Sequence, residues 1–366
     1  MLTGGVSALA NVAGRTLAVG AAAPMNILIF GGTGFIGPHL VRAAVARGHK
    51  VTIFSRGRHE GDDMPAGIER LVGDRLINDT IPQGNLKALE GRRFDAVIDD
   101  PASDPRWVRQ STALLKDSGS YLFVSSTGVY LPYHTRDADE TAPTALMPAG
   151  GGPAQYGNQK AQCERIVMET FGDRGAVVRP AYIIGPGDTT DRFNYWPQRI
   201  VRGGEVLAPG RKTDRIAIVD VRDLVDFMMK IVEERRSGIY NVTGPHDPTG
   251  IETCLNTIRD TLKADAKFTW IEDYAFLREH RITYAIPWVM LEGDNEFHTV
   301  LSNKKAVAAG LKFRPLSQTV RDINAWWPER LKLFTAGQTP RFAITPEREQ
   351  QTLADWKARG GRGSRL

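Results

Sequence analysis

Asn26-Ile-Leu-Ile-Phe30-Gly31-Gly-Thr33-Gly34-Phe35-Ile36-Gly37 joins a continuous apolar run to a helical pattern through glycines at three-residue intervals. The run Ile27 to Phe30 has the character of a parallel strand buried on both faces. Lacking Cβ atoms, the chain can turn sharply at Gly31, bring its backbone against a pyrophosphate at Gly34, and pack the next helix closely at Gly37. A helix N-terminus placed there offers free N–H groups and a positive dipole end to an anion. Phe35, Ile36, Leu40, Val41, Ala44 and Val45 recur at helical spacing, Gly48 closes the helix, and Val51 to Phe54 forms a second strand. Strand, glycine turn, helix and strand together read as a dinucleotide site, with Gly31, Thr33, Gly34, Phe35, Ile36 and Gly37 at the cofactor.

On this GxxGxxG spacing the chain resembles the extended short-chain dehydrogenases/reductases, the NAD-dependent epimerase/dehydratase family, over about Met25 to Trp327. The resemblance implies a Rossmann-type doubly wound parallel α/β sheet with a smaller, interleaved C-terminal substrate lobe. Further strands are expected at Glu69 to Val72, Asp95 to Ile98, Tyr121 to Ser125 and Ala176 to Val178, with helical stretches between most of them. After Arg179-Pro180 the rhythm breaks, returns to the sheet at Ile216 to Val219, Val221 to Glu233 and Ile239 to Val242, and leaves again at Pro245. This gives an extension at 1–24, a dinucleotide-binding domain at 25–180 plus about 215–244, a substrate lobe at 181–214 plus about 245–334, and a C-terminal helix with a basic tail at 335–366.

The Ala-, Gly- and Val-rich residues 1–24 resemble the apolar part of an export signal but lack its charged start, Arg15 being the only basic residue. A non-functional extension on a cytoplasmic protein is favoured over a truncated twin-arginine signal. No run reaches the length of about 18 apolar residues that would span a bilayer. With 47 Lys plus Arg against 42 Asp plus Glu, the net charge of +5 indicates mild affinity for anions without implying a nucleic-acid groove. Cys163 and Cys254 lie far apart with no metal-ligand partners, and His39, His134, His246, His280 and His298 show no ligand spacing, so no metal site is expected and surface or supporting roles are assigned to the histidines.

Tyr156-Gly-Asn-Gln-Lys160 puts a phenol and an ammonium on one helical face, where the cation is expected to lower the tyrosine pKa. The fifth strand ends in Ser125-Ser126-Thr127-Gly-Val-Tyr130, similar to the family's strand-end motif, in which the catalytic Ser or Thr stands four residues before the Tyr. The resemblance therefore implies Ser126 as orienter, with Thr127 in reserve, Tyr156 as acid/base, and Lys160 as its support and ribose anchor. It also implies adenine contact by Asp74 at the end of the third strand, a solvated turn Asp being the competing reading.

Departures narrow the chemistry. Asp99-Asp100-Pro101 stands where sugar-modifying relatives carry His-Leu-Ala-Ala, Thr127 is followed by Gly128 instead of the Asp-Glu pair of 4,6-dehydratases, and Arg215 is one residue off the diphosphate-binding position. Arg192, Tyr195 and Trp196 are candidates for lining a pocket for a ring-shaped substrate. The second strand ends Ser55-Arg56-Gly-Arg58 with no acid for a ribose 2′-hydroxyl, so Ser55, Arg56 and Arg58 favour NADP(H), with NAD(H) open. The leading expectation is an oxidoreductase moving hydride between nicotinamide and a secondary alcohol or ketone on a small substrate. Alternatives are a nucleotide-sugar epimerase with internal redox and, from resemblance to chloroplast stem-loop-binding proteins, a cofactor-binding protein recruited to RNA. A homodimer is left open.

Overall fold

The computed structural model describes residues 23–58, 64–77, 83–144, 152–245, 249–334, 340 and 342–361. The 1–22 segment on which the export reading rests lies outside them. β1 (Asn26–Phe30), α1 (Ile36–Ala46), β2 (Lys50–Ser55), β3 (Glu69–Val72), β4 (Ala96–Asp99), α2 (Pro105–Leu114), β5 (Tyr121–Val124), α3 (Gly152–Phe171) and β6 (Gly175–Pro180) follow one another along the chain. Then come β7 (Tyr182–Ile184), α4 (Tyr195–Val201), β8 (Gly204–Pro209), β9 (Ile218–Asp220), α5 (Val221–Glu233) and β10 (Gly238–Val242). The remaining elements are α6 (Ile251–Leu262), β11 (Ala266–Ile271), α7 (Tyr274–Glu279), β12 (Tyr284–Ala285), β13 (Trp288–Val289), α8 (Lys304–Ala308), α9 (Leu316–Lys332) and α10 (Pro346–Ala358).

A seven-stranded sheet in the order β10-β6-β5-β4-β1-β2-β3 forms the centre, and its pairings are all parallel. The strand order reverses between β1 and β4, so their carboxyl ends open the crevice in which α/β sheets of this kind bind ligands. Alternation along β1 divides its side chains: Ile27 and Ile29 join the core with α1 and α5, whereas Leu28 and Phe30 join the one with Val97, Phe123 and Val167. Each such burial contributes roughly 1.5–3 kcal/mol, which explains why the run carries no polar residue.

A third core builds a second, smaller lobe from Phe193, Trp196, Val206, Leu255, Trp288 and their neighbours. β8 pairs with β11 and β12 with β13. Ile218 to Asp220 does not return to the main sheet as the sequence pattern suggested. It pairs with β7 in a separate two-stranded sheet, because Ile216 and Ile218 are held in the lobe core while Val219 and Val221 face the other side. α10 is packed into the lobe by Leu353 and Trp356, and Glu349 accepts from Arg199 Nε and Leu207 N. Among the described residues no helix is long and apolar enough to cross a membrane.

Candidate active site

The glycine turn has the shape its sequence implies. Gly31 takes φ +80, a conformation other residues rarely adopt, and a Cβ there would fall 2.7 Å from the Pro101 ring. A Cβ on Gly37 would come within 2.3 Å of the Gly31 carbonyl oxygen, so α1 can lie this close to the turn only with glycine there. At Gly34 a Cβ would meet nothing nearer than 3.8 Å, leaving the backbone open to an incoming group. The first turn of α1 has no side-chain cap, so its N–H groups remain available to an anion. Thr33 and Phe35 are partly exposed beside it, and Ile36 is buried beneath. A dinucleotide pyrophosphate fits this cradle on both shape and donors.

At the end of β2, Arg56 and Arg58 are exposed, and Ser55 Oγ accepts from Gly57 N at 3.3 Å. Asp74 accepts from Leu76 N at 3.0 Å and so braces a local turn, the competing reading of that residue. The second acid of the Asp99-Asp100 pair has a different setting from the first. Asp99 is buried against Arg75, whose Nη1 and Nη2 donate to it at 2.7 and 2.9 Å, and accepts from Tyr121 Oη at 2.6 Å. Arg75 also lies over the Phe30 ring at 4.3 Å, so this ion pair ties β1, β4 and β5 together beneath the cofactor turn. Asp100 lies near Lys160, and burial pushes its carboxyl up to about 7 despite that cation.

Ser126, Tyr156 and Lys160 are brought together at the ends of β4 and β5. Ser126 begins the short turn Thr127–Tyr130, where its Oγ accepts from Gly128 N at 3.0 Å, and its hydroxyl lies close enough to Tyr156 to favour the phenolate. The close approach depends on Gly157, where a Cβ would lie 2.0 Å from the Gly128 carbonyl oxygen. A glycine inside a helix costs about 1 kcal/mol against alanine, and that penalty was the available sequence signal of a backbone contact.

Lys160 is buried and its Nζ donates to the Ala102 and Val124 carbonyls, each at 2.7 Å. The expected lowering of the tyrosine pKa does not occur. Burial around the Tyr156 hydroxyl raises its pKa above the usual value, partly offset by Ser126, because Lys160 is drawn to the strand-end carbonyls, its Nζ 5.8 Å from the phenol ring centre. The Lys160 ammonium is itself lowered by burial, with Asp100 opposing.

Tyr156 opens into a cleft of about 720 Å³ bounded by the β5 and β6 ends and by segments of the lobe. Ser126, Thr127, Tyr133, Arg192 and His298 line it. Tyr195 and Trp196 do not reach it. They are 1% and 0% exposed in the lobe core, with Trp196 Nε1 donating to Ala285 O at 3.1 Å, so the aromatic run packs instead of lining the site. Aromatic lining comes from Tyr133, Tyr182 and Tyr284, which the sequence reading missed. His298, assigned a surface or supporting role from sequence, is a buried part of the cleft wall with ring centres of Tyr133 and Tyr182 at 4.5 and 5.3 Å. Arg215 lies in a separate pocket with Asp137, Thr243 and Lys304.

Comparison with known proteins places these features in a family. The sequence pattern of the NAD dependent epimerase/dehydratase family matches residues 27–111 and 106–243. The chain is 27% identical to the chloroplast stem-loop binding protein of 41 kDa b of Arabidopsis thaliana, the match covering 62% of this chain and 61% of that protein, less than two thirds of its length. It is 25% identical to dTDP-4-dehydro-6-deoxy-D-allose reductase of Streptomyces bikiniensis, over 62% of this chain and 78% of the relative. UDP-N-acetylglucosamine 4-epimerase of Methanobrevibacter ruminantium, solved with UDP-N-acetylmuramic acid, superposes with TM-score 0.62 at 18% identity, over 84% of this chain and 99% of that one. The Bordetella bronchiseptica enzyme WbmH, solved with NAD+, gives TM-score 0.57 at 17% identity over 83% and 98%. On the extent of the sequence match, the chain belongs to the NAD dependent epimerase/dehydratase family.

Proposed function

We propose that the protein is an NADP(H)-preferring oxidoreductase that interconverts a ketone and a secondary alcohol on a small molecule held in the Tyr156 cleft. The observation that carries this reading is the meeting of Ser126 and Tyr156 on the wall of one cleft, with Lys160 one helical turn along from the phenol.

A bound nicotinamide cofactor supplies or accepts the hydride. The Tyr156 phenol, protonated at neutral pH like any tyrosine, donates a proton to a carbonyl oxygen in the forward direction and, as phenolate, recovers one from the alcohol in reverse. Ser126 hydrogen-bonds the same oxygen and fixes the angle at which the carbonyl presents itself. Lys160 uses two of its three N–H groups on the Ala102 and Val124 carbonyls, which leaves one for a cofactor ribose hydroxyl. Arg56 and Arg58, exposed at the end of β2, supply forked donors suited to a 2′-phosphate. Several arginines pair with carboxylates, among them Arg47 with Asp226, Arg92 with Glu69 and Arg222 with Asp322, which weakens the charge argument for an RNA partner.

Replacing Tyr156 by Phe tests the reading, since it removes only the proton-transferring oxygen. Turnover of a reducible ketone should fall by about 10² to 10⁴-fold while NADP(H) affinity, followed by protein fluorescence, stays unchanged. A Phe variant within about threefold of the parent rate would remove Tyr156 from the proton transfer.

A further inference from the structure

The charge carried by the cleft constrains what can enter it. Arg192, Arg278 and Glu292 bring formal charges to the lining, and Arg278 is ion-paired with Glu292. Among the described residues Arg192 forms no ion pair: its Nε donates to Thr190 Oγ1 at 3.0 Å, whose hydroxyl in turn donates to the buried Asp188, and its guanidinium lies over the Tyr182 ring at 5.5 Å. These contacts hold its position, and the Asp188 carboxylate behind Thr190 attenuates its charge without an ion pair. Its charge reaches the reaction centre, because it opposes the burial that raises the Tyr156 pKa.

No second cation comes from the histidine. Burial holds His298 near 4, so its imidazole is neutral at physiological pH. Arg215, the sequence's candidate for a diphosphate, belongs to a different pocket. A nucleoside diphosphate brings at least two negative charges into a cleft whose lining, with Arg278 taken by Glu292, offers Arg192 to meet them. A single carboxylate matches in charge and in fork geometry the one guanidinium of the cleft that forms no ion pair among the described residues. The opposite requirement, a flat apolar surface, is met by Tyr133, Tyr182 and Tyr284 with Val289 and Met290.

Resting on the oxidoreductase reading above, we infer that the substrate is a ring-bearing ketone, or its secondary alcohol, carrying one carboxylate: the carboxylate pairs with Arg192, the ring lies among Tyr133, Tyr182 and Tyr284, and nucleoside diphosphate sugars are excluded. Arg192 is then a specificity-determining residue of the reaction.

The test uses the full-length protein loaded with NADP(H) and three probes: 4-acetylbenzoate, its methyl ester, and UDP-glucose. Binding is measured by calorimetry and hydride transfer by cofactor absorbance. We expect 4-acetylbenzoate to bind at least about tenfold more tightly than the ester, as one charge-assisted pair warrants, and UDP-glucose to bind more weakly than either. Arg192→Gln should abolish the preference for acid over ester, and Arg192→Lys should restore part of it. Equal affinity for acid and ester, an unchanged preference in Arg192→Gln, or micromolar binding of UDP-glucose would each overturn the inference. Arg192-dependent binding of the acid with no hydride transfer from NADPH to either ketone would leave the carboxylate recognition by Arg192 standing and defeat the oxidoreductase reading on which the ketone assignment rests.

Discussion

Asp100→Asn should stabilise the protein, and only above about pH 4. The carboxyl sits at the end of β4 with a folded pKa of about 7 against the ordinary 3.8, because burial outweighs the attraction of Lys160, Asp99 adds repulsion, and Arg75 is already engaged with Asp99. A folded pKa above the unfolded one means that the native state holds the proton more tightly. Below about pH 4 both states are protonated and the group costs nothing. Between about pH 4 and 7 the unfolded chain releases its proton first, so stability falls as pH rises, and above 7 the whole penalty persists. The gap corresponds to a ceiling of roughly 4 kcal/mol, and partial exposure of the side chain reduces this to about 2 kcal/mol. Urea denaturation of the parent and Asp100→Asn proteins at pH 4, 6 and 8 should show the two equally stable at the first pH and the variant ahead by about 1–2 kcal/mol at the last. Because Asp100 also raises the Tyr156 pKa, the alkaline limb of kcat/KM should move to lower pH in the variant. A stability difference that is the same at all three pH values would refute the reasoning.

Gly157→Ala should be far more damaging to turnover than to stability. The new methyl group would lie 2.0 Å from the Gly128 carbonyl oxygen and push α3 outward, an overpacking cost of about 1–3 kcal/mol that the roughly 1 kcal/mol gain in helix propensity partly offsets. Displacing Tyr156 from Ser126 should lower kcat by about 10- to 100-fold, and a variant with the parent kcat would show that the close contact does not set the catalytic geometry. Arg56→Ala should weaken NADP(H) at least about tenfold in a fluorescence titration while leaving NAD(H) nearly unchanged, and tighter binding of NAD(H) by the parent protein would defeat the cofactor assignment.

The parts of the molecule readable from sequence are those whose physical cause lies within one element and its turn. The sharp turn at Gly31 and the tight packing at Gly37 each require a missing Cβ, and three-residue glycine spacing after a buried strand encodes both. Tyr156 and Lys160 share a helical face by spacing alone, and Ser126 is placed by the end of β5. What escaped the sequence depends on which distant segment arrives opposite. Tyr195 and Trp196 have the composition of a ligand pocket and of a core in equal measure. Only the docking of Ala285 against Trp196 and of Phe342 against Tyr195 decides for the core. Nothing in the sequence separates Asp99 from Asp100, and only the convergence of Arg75 and Tyr121 gives Asp99 its structural role. His298 takes its character from desolvation between Tyr133 and Tyr182, residues that reach it from other parts of the chain.

The same division explains the pKa expectation that failed. Spacing correctly put an ammonium beside a phenol, but the sign of the shift depends on where the ammonium's hydrogen bonds go and how much water the phenol loses. The strand-end carbonyls of Ala102 and Val124 take Lys160, so desolvation decides at Tyr156. A phenol with a raised pKa is a weaker acid and, once ionised, a stronger base, so the shift taken alone favours neither direction of hydride transfer, and a partner that reaches Tyr156 when the cleft is filled must help the proton leave.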